Sequence, residues 1–272
     1  MAFTRDLPAM KKFDFPKYEV ITPHTKHSFL IRSMTVNQEN VLKESSVSAS
    51  RALSIVNQTL FDCIEDKEAP FNTLEGFEQN LTMVDRTALI YGLIIATYGE
   101  TQKLSYTCPN CGNRIEVEVN IPENTTVSMY EGNEPIITRR DVIELPVSKY
   151  KVVLGVPTLK DEKIFSLSKG VSKEVMNKVD DYLIVKKLIV PGTETSATGT
   201  ELTQEYSIDN IFDIYTTVCQ LPARDRKAIY NTWSENFGDY GVKVNIPIVC
   251  TACRTENESR MNVVEELFRQ LS

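Results

Sequence analysis

The apolar positions of this chain change period several times, and each change marks an element. Lys17–Thr22 and Ser28–Met34 read as two strands around a Pro23-His24-Thr25-Lys26 turn. Thr35 and Gln38 have capping-box spacing, which predicts a helix start running through Val41-Leu42. Leu53, Val56, Leu60 and Ile64 recur at intervals of three and four, one apolar stripe on a helix over about Ser48–Ile64. After a polar break at Glu65–Pro70, a short helix is predicted over Thr73–Gln79. Thr82-Met-Val-Asp85 is a second box-like start. The helix it opens, Asp85–Tyr98, is apolar on nearly all sides, the mark of a central core helix, and Gly99 is placed to cap it.

The second half reads differently. Leu104–Asn120 predicts a hairpin whose tip is Cys108-Pro-Asn-Cys111-Gly112 and whose return arm alternates strictly from Arg114 to Val119. Ile121–Val142 is irregular and polar, and Val142–Leu154 suggests a hairpin turning near Ser148-Lys149. From Leu159 to about Gly238 the pattern is mostly helical. Val175, Val179, Tyr182, Leu183, Lys186 and Leu188 fit one helix ended by Pro191-Gly192. Thr193–Thr203 predicts an exposed loop. A helical pair, Ile208–Val218 and Ala223–Phe237, joins around Leu221-Pro222. Val242–Cys250 and Glu256–Met261 read as strands flanking Cys250-Thr-Ala-Cys253, and Val263–Leu271 as an amphipathic helix.

The expected fold class is α+β: an N-terminal strand and helix region, split zinc-ribbon-like hairpins, and a helical insertion between the two cysteine pairs. The expected boundaries are 1–103 for the N-terminal region and 104–120 with 242–262 for the split module. Residues 121–241 form the insertion and 263–272 the last helix.

Four cysteines carry the chemistry. Two residues between cysteines let a tight turn aim both sulfurs at one point, and four thiolates at about 2.3 Å suit tetrahedral zinc. In Cys108-Pro-Asn-Cys111-Gly112, proline sets the turn and glycine permits positive φ after the second ligand. Cys250-Thr-Ala-Cys253-Arg254 has the same spacing with arginine where glycine is expected, a weaker knuckle. Residues 112 to 249 separate the pairs, where an ordinary ribbon has roughly 15–20. The expected metal ligands are Cys108, Cys111, Cys250 and Cys253, holding one structural Zn2+. The competing reading is a redox disulfide within Cys108–Cys111, although a thioredoxin-like pair sits between a strand and a helix. A closed four-thiolate sphere leaves no open position for water, so such a site is structural. Cys63 and Cys219 fall within helical patterns and read as core.

Little supports catalysis. The only histidines are His24 and His27, which read as a solvated pair by a turn, and no phosphate-binding glycine motif occurs. Asp180-Asp181 and Glu265-Glu266 are adjacent on predicted helices and diverge, so neither forms a dyad. Trp233, Tyr230 and Phe237 share one helix face, which reads as core, with a partner groove as the alternative. The net charge of −7 opposes general nucleic-acid binding; Lys11-Lys12, Arg139-Arg140 and Lys186-Lys187 are only short basic clusters. No signal peptide is visible, and the most apolar stretch, Leu89–Tyr98, is about half of the ~20 residues a bilayer needs. A reducing compartment favours metal over disulfide for paired cysteines.

Asp85-Arg86-Thr-Ala-Leu-Ile-Tyr-Gly-Leu-Ile-Ile-Ala-Thr-Tyr98-Gly99-Glu100, followed by Tyr106-Thr-Cys108-Pro-Asn-Cys111-Gly112, resembles the baseplate hub subunit family of T-even-like, contractile-tailed bacteriophages. The likeness extends loosely to Cys250-Thr-Ala-Cys253 and the last helix. It implies a non-enzymatic virion or assembly protein, made in the host cytoplasm. Other baseplate hub proteins and the tape measure protein would be its partners, with self-association open and no nucleic acid or membrane span expected. The other functions in view are an assembly chaperone that leaves the finished hub, a zinc-ribbon regulator binding polymerase or nucleic acid, and an enzyme with a cryptic site.

Overall fold

A computed structural model describes residues 14–45, 49–166, 180–195, 201–238 and 240–271. Lys11-Lys12, Val175, Val179 and the middle of the Thr193–Thr203 stretch lie outside the described residues, as do the side chains of Asp180-Asp181.

The fold is α+β: among the described residues, three small antiparallel sheets lie around one buried helix and a four-stranded sheet belongs to a second core. Strands β1 (Lys17–Ile21) and β2 (Ser28–Arg32) form the expected N-terminal hairpin, with Lys17 opposite Arg32. Helices α1 (Val36–Ser45) and α2 (Ala49–Cys63) follow. Thr35 and Gln38 close the first cap reciprocally: the Gln38 N–H donates to Thr35 Oγ1 at 3.3 Å, and the Thr35 N–H to Gln38 Oε1 at 3.0 Å. Helix α3 (Leu74–Asn80) leads into α4 (Met83–Tyr98), the core helix.

Helix α4 is buried on all faces, from Ala88 through Ala96. Its start is a full capping box between Thr82 and Asp85, and its end is Gly99 at φ 88°, whose N–H returns to the Ile95 carbonyl. Gly92 lets the β1–β2 hairpin lie directly on this helix: a Cβ there would stand 2.2 Å from Val20 Cγ2. Strands β3 (Thr101–Thr107) and β4 (Arg114–Asn120) make the first cysteine hairpin.

Strand β5 (Thr125–Ser128) lies in a stretch whose polarity had suggested only irregular chain. It pairs with β10 (Gly241–Val249), far away in sequence, and β10 pairs in turn with β11 (Glu256–Met261). Residues 125–128 thus return to the sheet of the second cysteine hairpin. Helix α9 (Val263–Gln270) closes the chain over the same core, burying Val263 and Leu267.

Between the hairpins a second hydrophobic cluster gathers around Leu145, Val152, Leu154, Leu188, Ile214, Val218 and Ile229. Its sheet runs β6 (Asp141–Glu144), β7 (Lys151–Leu154), β8 (Val185–Thr195), β9 (Glu201–Ile208). Helices α6 (Asp180–Leu183), α7 (Ile211–Gln220) and α8 (Ala223–Phe237) complete it, while α5 (Leu159–Ser166) packs against α2 and α3 and buries Leu159 in the first core. The helix expected through Lys186 and Leu188 is corrected to strand: Lys187, Leu188 and Ile189 pair with Val153, Val152 and Lys151, and this long-range ladder overrides a helical spacing. The loop expected at Thr193–Thr203 is strand at both ends, with Thr193 opposite Thr203 and Thr195 opposite Glu201. Pro191 is tolerated because the β7 partnership ends at Ile189, so its missing N–H faces no ladder on that side.

Buried polar contacts fix two junctions, one between α4 and α5 and one inside the second core. Arg86 on α4 holds Glu162 on α5 in a two-pronged pair, its second arm at 2.9 Å, and both side chains are buried. Asp225 at the start of α8 accepts the Val147 and Ser148 N–H groups of the β6–β7 turn, both at 2.8 Å. Those two donors and the Ser148 side chain oppose burial and hold its carboxyl below the usual range.

The histidines depart from the expected solvated pair. His24 is 2% exposed, and His27 packs between Phe29 and Phe71 at ring separations of 4.7 and 4.6 Å. The His24 N–H donates to Asp85 Oδ1 at 2.8 Å, and its Nδ1 lies 3.0 Å from Thr82 Oγ1. The turn is buried because it seats on the polar N-terminus of α4, a contact 60 residues away that local patterning cannot show. Cys63 is core as expected, but Cys219 is exposed, because it lies on the α7 face turned from Ile214 and Val218. Of the expected aromatic face, Phe237 is buried and Trp233 bonds the Gly155 carbonyl through Nε1, while Tyr230 is exposed. Glu265 and Glu266 diverge as expected, but Glu266 is buried against Arg269.

Candidate metal centre

The two cysteine turns have the same backbone pattern. In the first, the Cys108 N–H reaches the Asn113 carbonyl and the Gly112 N–H reaches the Cys108 carbonyl, both at 2.9 Å. In the second, the Cys250 N–H reaches Thr255 at 3.0 Å and the Arg254 N–H reaches Cys250 at 2.8 Å. Gly112 sits at φ 73° and Arg254 at φ 59°. Arg254 therefore adopts the left-handed conformation that glycine supplies in the first turn. The arginine makes the second knuckle more strained without changing its shape, at a cost of order 1–2 kcal/mol.

The turns face each other. Among the described residues, the four Sγ atoms of Cys108, Cys111, Cys250 and Cys253 all lie within 4.8 Å of one another. Cys108 Sγ is 3.7 Å from Cys253 Sγ, and Cys111 Sγ is 3.6 Å from Cys250 Sγ. A tetrahedron of sulfurs about 2.3 Å from a central zinc has edges of about 3.8 Å, so the set fits a four-thiolate ion. The same separations are far beyond a disulfide bond of about 2.05 Å, and all four are free thiols. Both of these approaches cross from one hairpin to the other.

The surroundings support such a centre. Cys108 and Cys250 are buried and Cys111 is exposed, so the cluster sits at the rim of the main core. Asn110 Nδ2 donates to Thr255 Oγ1 at 3.1 Å and ties one turn to the other. Thr255 Oγ1 lies 3.2 Å from Cys253 Sγ, and Asn257 Nδ2 points at Cys108 Sγ from 4.0 Å. These donors orient thiolates and offset their charge, as outer contacts do around metal ligands.

The electrostatics show what four adjacent thiols lack without a cation. The Thr255 hydroxyl and N–H, with Asn110, draw the Cys253 thiol down to about 5. The Cys253 and Ala252 N–H groups lower Cys250. The Asn113 N–H favours ionised Cys111, but the neighbouring Cys253, Cys250 and Cys108 sulfurs outweigh it and push that thiol up to about 12. Negative charge on one sulfur opposes charge on the next, and a divalent cation at the centre removes that opposition.

The cysteine spacing indicated all four members of this cluster. It did not indicate Asn110, Thr255 and Asn257, whose roles depend on how the two hairpins face each other.

The match to known proteins lies at the level of the family. The model for the T4 bacteriophage base plate protein matches residues 15–269, nearly the whole chain. No curated protein and no solved structure matches it significantly. The chain belongs to the T4 bacteriophage base plate protein family.

Proposed function

We propose, with that membership as the premise, that the chain is a structural subunit of the phage tail baseplate, more narrowly of its hub. In this reading it works through protein–protein interfaces and carries one structural zinc ion. The observation that carries the zinc is the convergence of four thiols from two hairpins that flank the second core in the sequence. Cys108, Cys111, Cys250 and Cys253 are its ligands, and a closed thiolate sphere serves folding rather than catalysis. The ion ties together the two ends of a long insertion and offsets the loop-closure entropy of bringing them together.

The organisation that goes with this reading is a main body, residues 1–103 with the two hairpins and the last helix, carrying residues 121–241 as an inserted subdomain. A non-enzymatic role accords with the family and with the use of both histidines in packing. The partners are other baseplate proteins, the hub proteins and tape measure protein among them. No described helix is long and apolar enough to cross a membrane.

An assembly chaperone would have the same fold and would leave the finished particle. Quantitative mass spectrometry of purified tails decides between them. The proposal expects the chain at a fixed ratio to other baseplate proteins. Its presence in assembly lysates and absence from purified tails would sink the virion role.

A further inference from the structure

We propose that Asn110, Thr255 and Asn257 are positioning residues that brace one edge of the cysteine cluster, Cys108–Cys253, and leave Cys111 as the thiolate that opens first. The inference rests on the zinc reading of the four thiols and goes beyond it by giving the ligands unequal roles.

The brace crosses between the hairpins in both directions. From the first knuckle, Asn110 Nδ2 donates to Thr255 Oγ1 at 3.1 Å. That bond occupies a lone pair of the hydroxyl and leaves its single proton free for Cys253 Sγ, 3.2 Å away. A side chain of the first hairpin thus directs a donor at a sulfur of the second. From the second hairpin, Asn257 Nδ2 has two protons to give. One goes to the Thr255 carbonyl at 3.1 Å, and the other faces Cys108 Sγ from 4.0 Å. The Thr255 carbonyl also accepts the Cys250 N–H at 3.0 Å, so this one residue joins the backbone of one ligand to the sulfur of another. The two sulfurs served in this way, Cys108 and Cys253, are themselves a cross-hairpin pair at 3.7 Å.

The opposite edge is built differently. Cys111 is exposed, whereas Cys108 and Cys250 are buried and Cys253 is intermediate. In the second knuckle the position equivalent to Asn110 is Ala252, which has no side-chain donor, so no matching relay runs back to Cys111. Outer hydrogen bonds fix the rotation of a ligand side chain, and a solvated thiolate swings away from a metal more readily. Solvent access also admits a chelator or an alkylating reagent at that sulfur first.

The test uses the full chain purified with its zinc. Zinc release is followed with excess pyridylazoresorcinol, a chromophoric chelator, and cysteine accessibility by N-ethylmaleimide labelling and peptide mass spectrometry. Cys219, exposed and outside the cluster, is the internal reference. Thr255→Val keeps the shape of the side chain without its hydroxyl and should release zinc about tenfold faster or more. Thr255→Ser, which restores the hydroxyl, should recover most of the parent's retention. Asn110→Ala should fall between parent and Thr255→Val, because Asn110 is exposed and water replaces part of its donor. Thr251→Val makes the same change at an exposed position of the same turn and should leave the rate unchanged. In the zinc-loaded parent, Cys111 should be labelled before Cys108, Cys250 and Cys253. Circular dichroism confirms that the variants are folded. Zinc release at the parent's rate from folded Thr255→Val and Asn110→Ala, equal acceleration by Thr255→Ser, or labelling of Cys108 or Cys253 ahead of Cys111 overturns the brace and leaves the zinc reading standing. A parent purified without zinc refutes that reading and the brace with it.

Discussion

Acid should weaken this fold through His24, and the size of the effect follows from its surroundings. Thr82 Oγ1 is 3.0 Å from Asp85 Oδ2 and accepts the Asp85 N–H, so its proton goes to the carboxylate. His24 Nδ1 must then be the donor to Thr82 Oγ1, which leaves Nε2 as a lone pair; it is buried without a hydrogen-bond partner among the described residues. Burial lowers the His24 pKa from 6.5 to about 4. The group facing it from α4 is Asp85, whose carboxyl burial pushes up while the N–H groups of His24, Thr82 and Thr25 and the Thr82 hydroxyl hold it back. Tyr240 meets the ring edge-on at 5.7 Å. Because the folded pKa lies below the unfolded one, the unfolded chain binds the proton first. Stability is complete above about pH 6.5 and is lost as pH falls toward 4. The difference of about 2.5 units corresponds to roughly 3 kcal/mol. The assay is urea unfolding from pH 7.5 to 4 on the parent and on His24→Gln. The zinc site and the carboxylates contribute to both, so their difference isolates the histidine. His24→Gln is less stable at pH 7.5, and the gap should shrink by roughly 3 kcal/mol on acidification. Parallel curves would refute the reasoning.

Three further substitutions test the packing. Gly92→Ala should destabilise by about 1–3 kcal/mol in thermal melts despite alanine's better helix propensity, because the new methyl meets Val20; a gain in stability would show that the hairpin yields. Asp85→Ala removes the acceptor for the His24, Thr25 and Thr82 N–H groups and should cost about 3 kcal/mol or more in denaturant; a loss under 1 kcal/mol would deny the buried cap its role. Arg254→Gly should keep metal binding and equal or exceed the parent's stability by up to about 1 kcal/mol, since glycine takes φ 59° without strain; reduced metal binding would mean that the arginine side chain itself is needed.

Features with local causes were legible in the sequence. Thr82, Asp85 and Gly99 mark the two ends of α4 by capping chemistry that needs only neighbouring residues. The two Cys-x-x-Cys turns declare themselves by spacing, and the cluster they form required only that the hairpins meet. What was not legible depended on distant partners. Strand β8 carries helix-compatible spacing and became a strand because β7 and β9 flank it. Strand β5 is too short and polar to show alternation and exists because β10 offers an edge. His24 reads as a turn residue until the N-terminus of α4 arrives beneath it. Arg254 looked like a defect in the second knuckle because sequence shows residue preference, while the turn's hydrogen bonds decide its backbone conformation.

If two hairpins far apart in the chain share one metal ion, elemental analysis of protein purified without added zinc, on the parent and on Cys250→Ser, will show it. The parent should hold about one zinc per chain, and the variant should lose that zinc and melt at a lower temperature. A parent free of metal, or a variant that keeps its full zinc and melts like the parent, would contradict it.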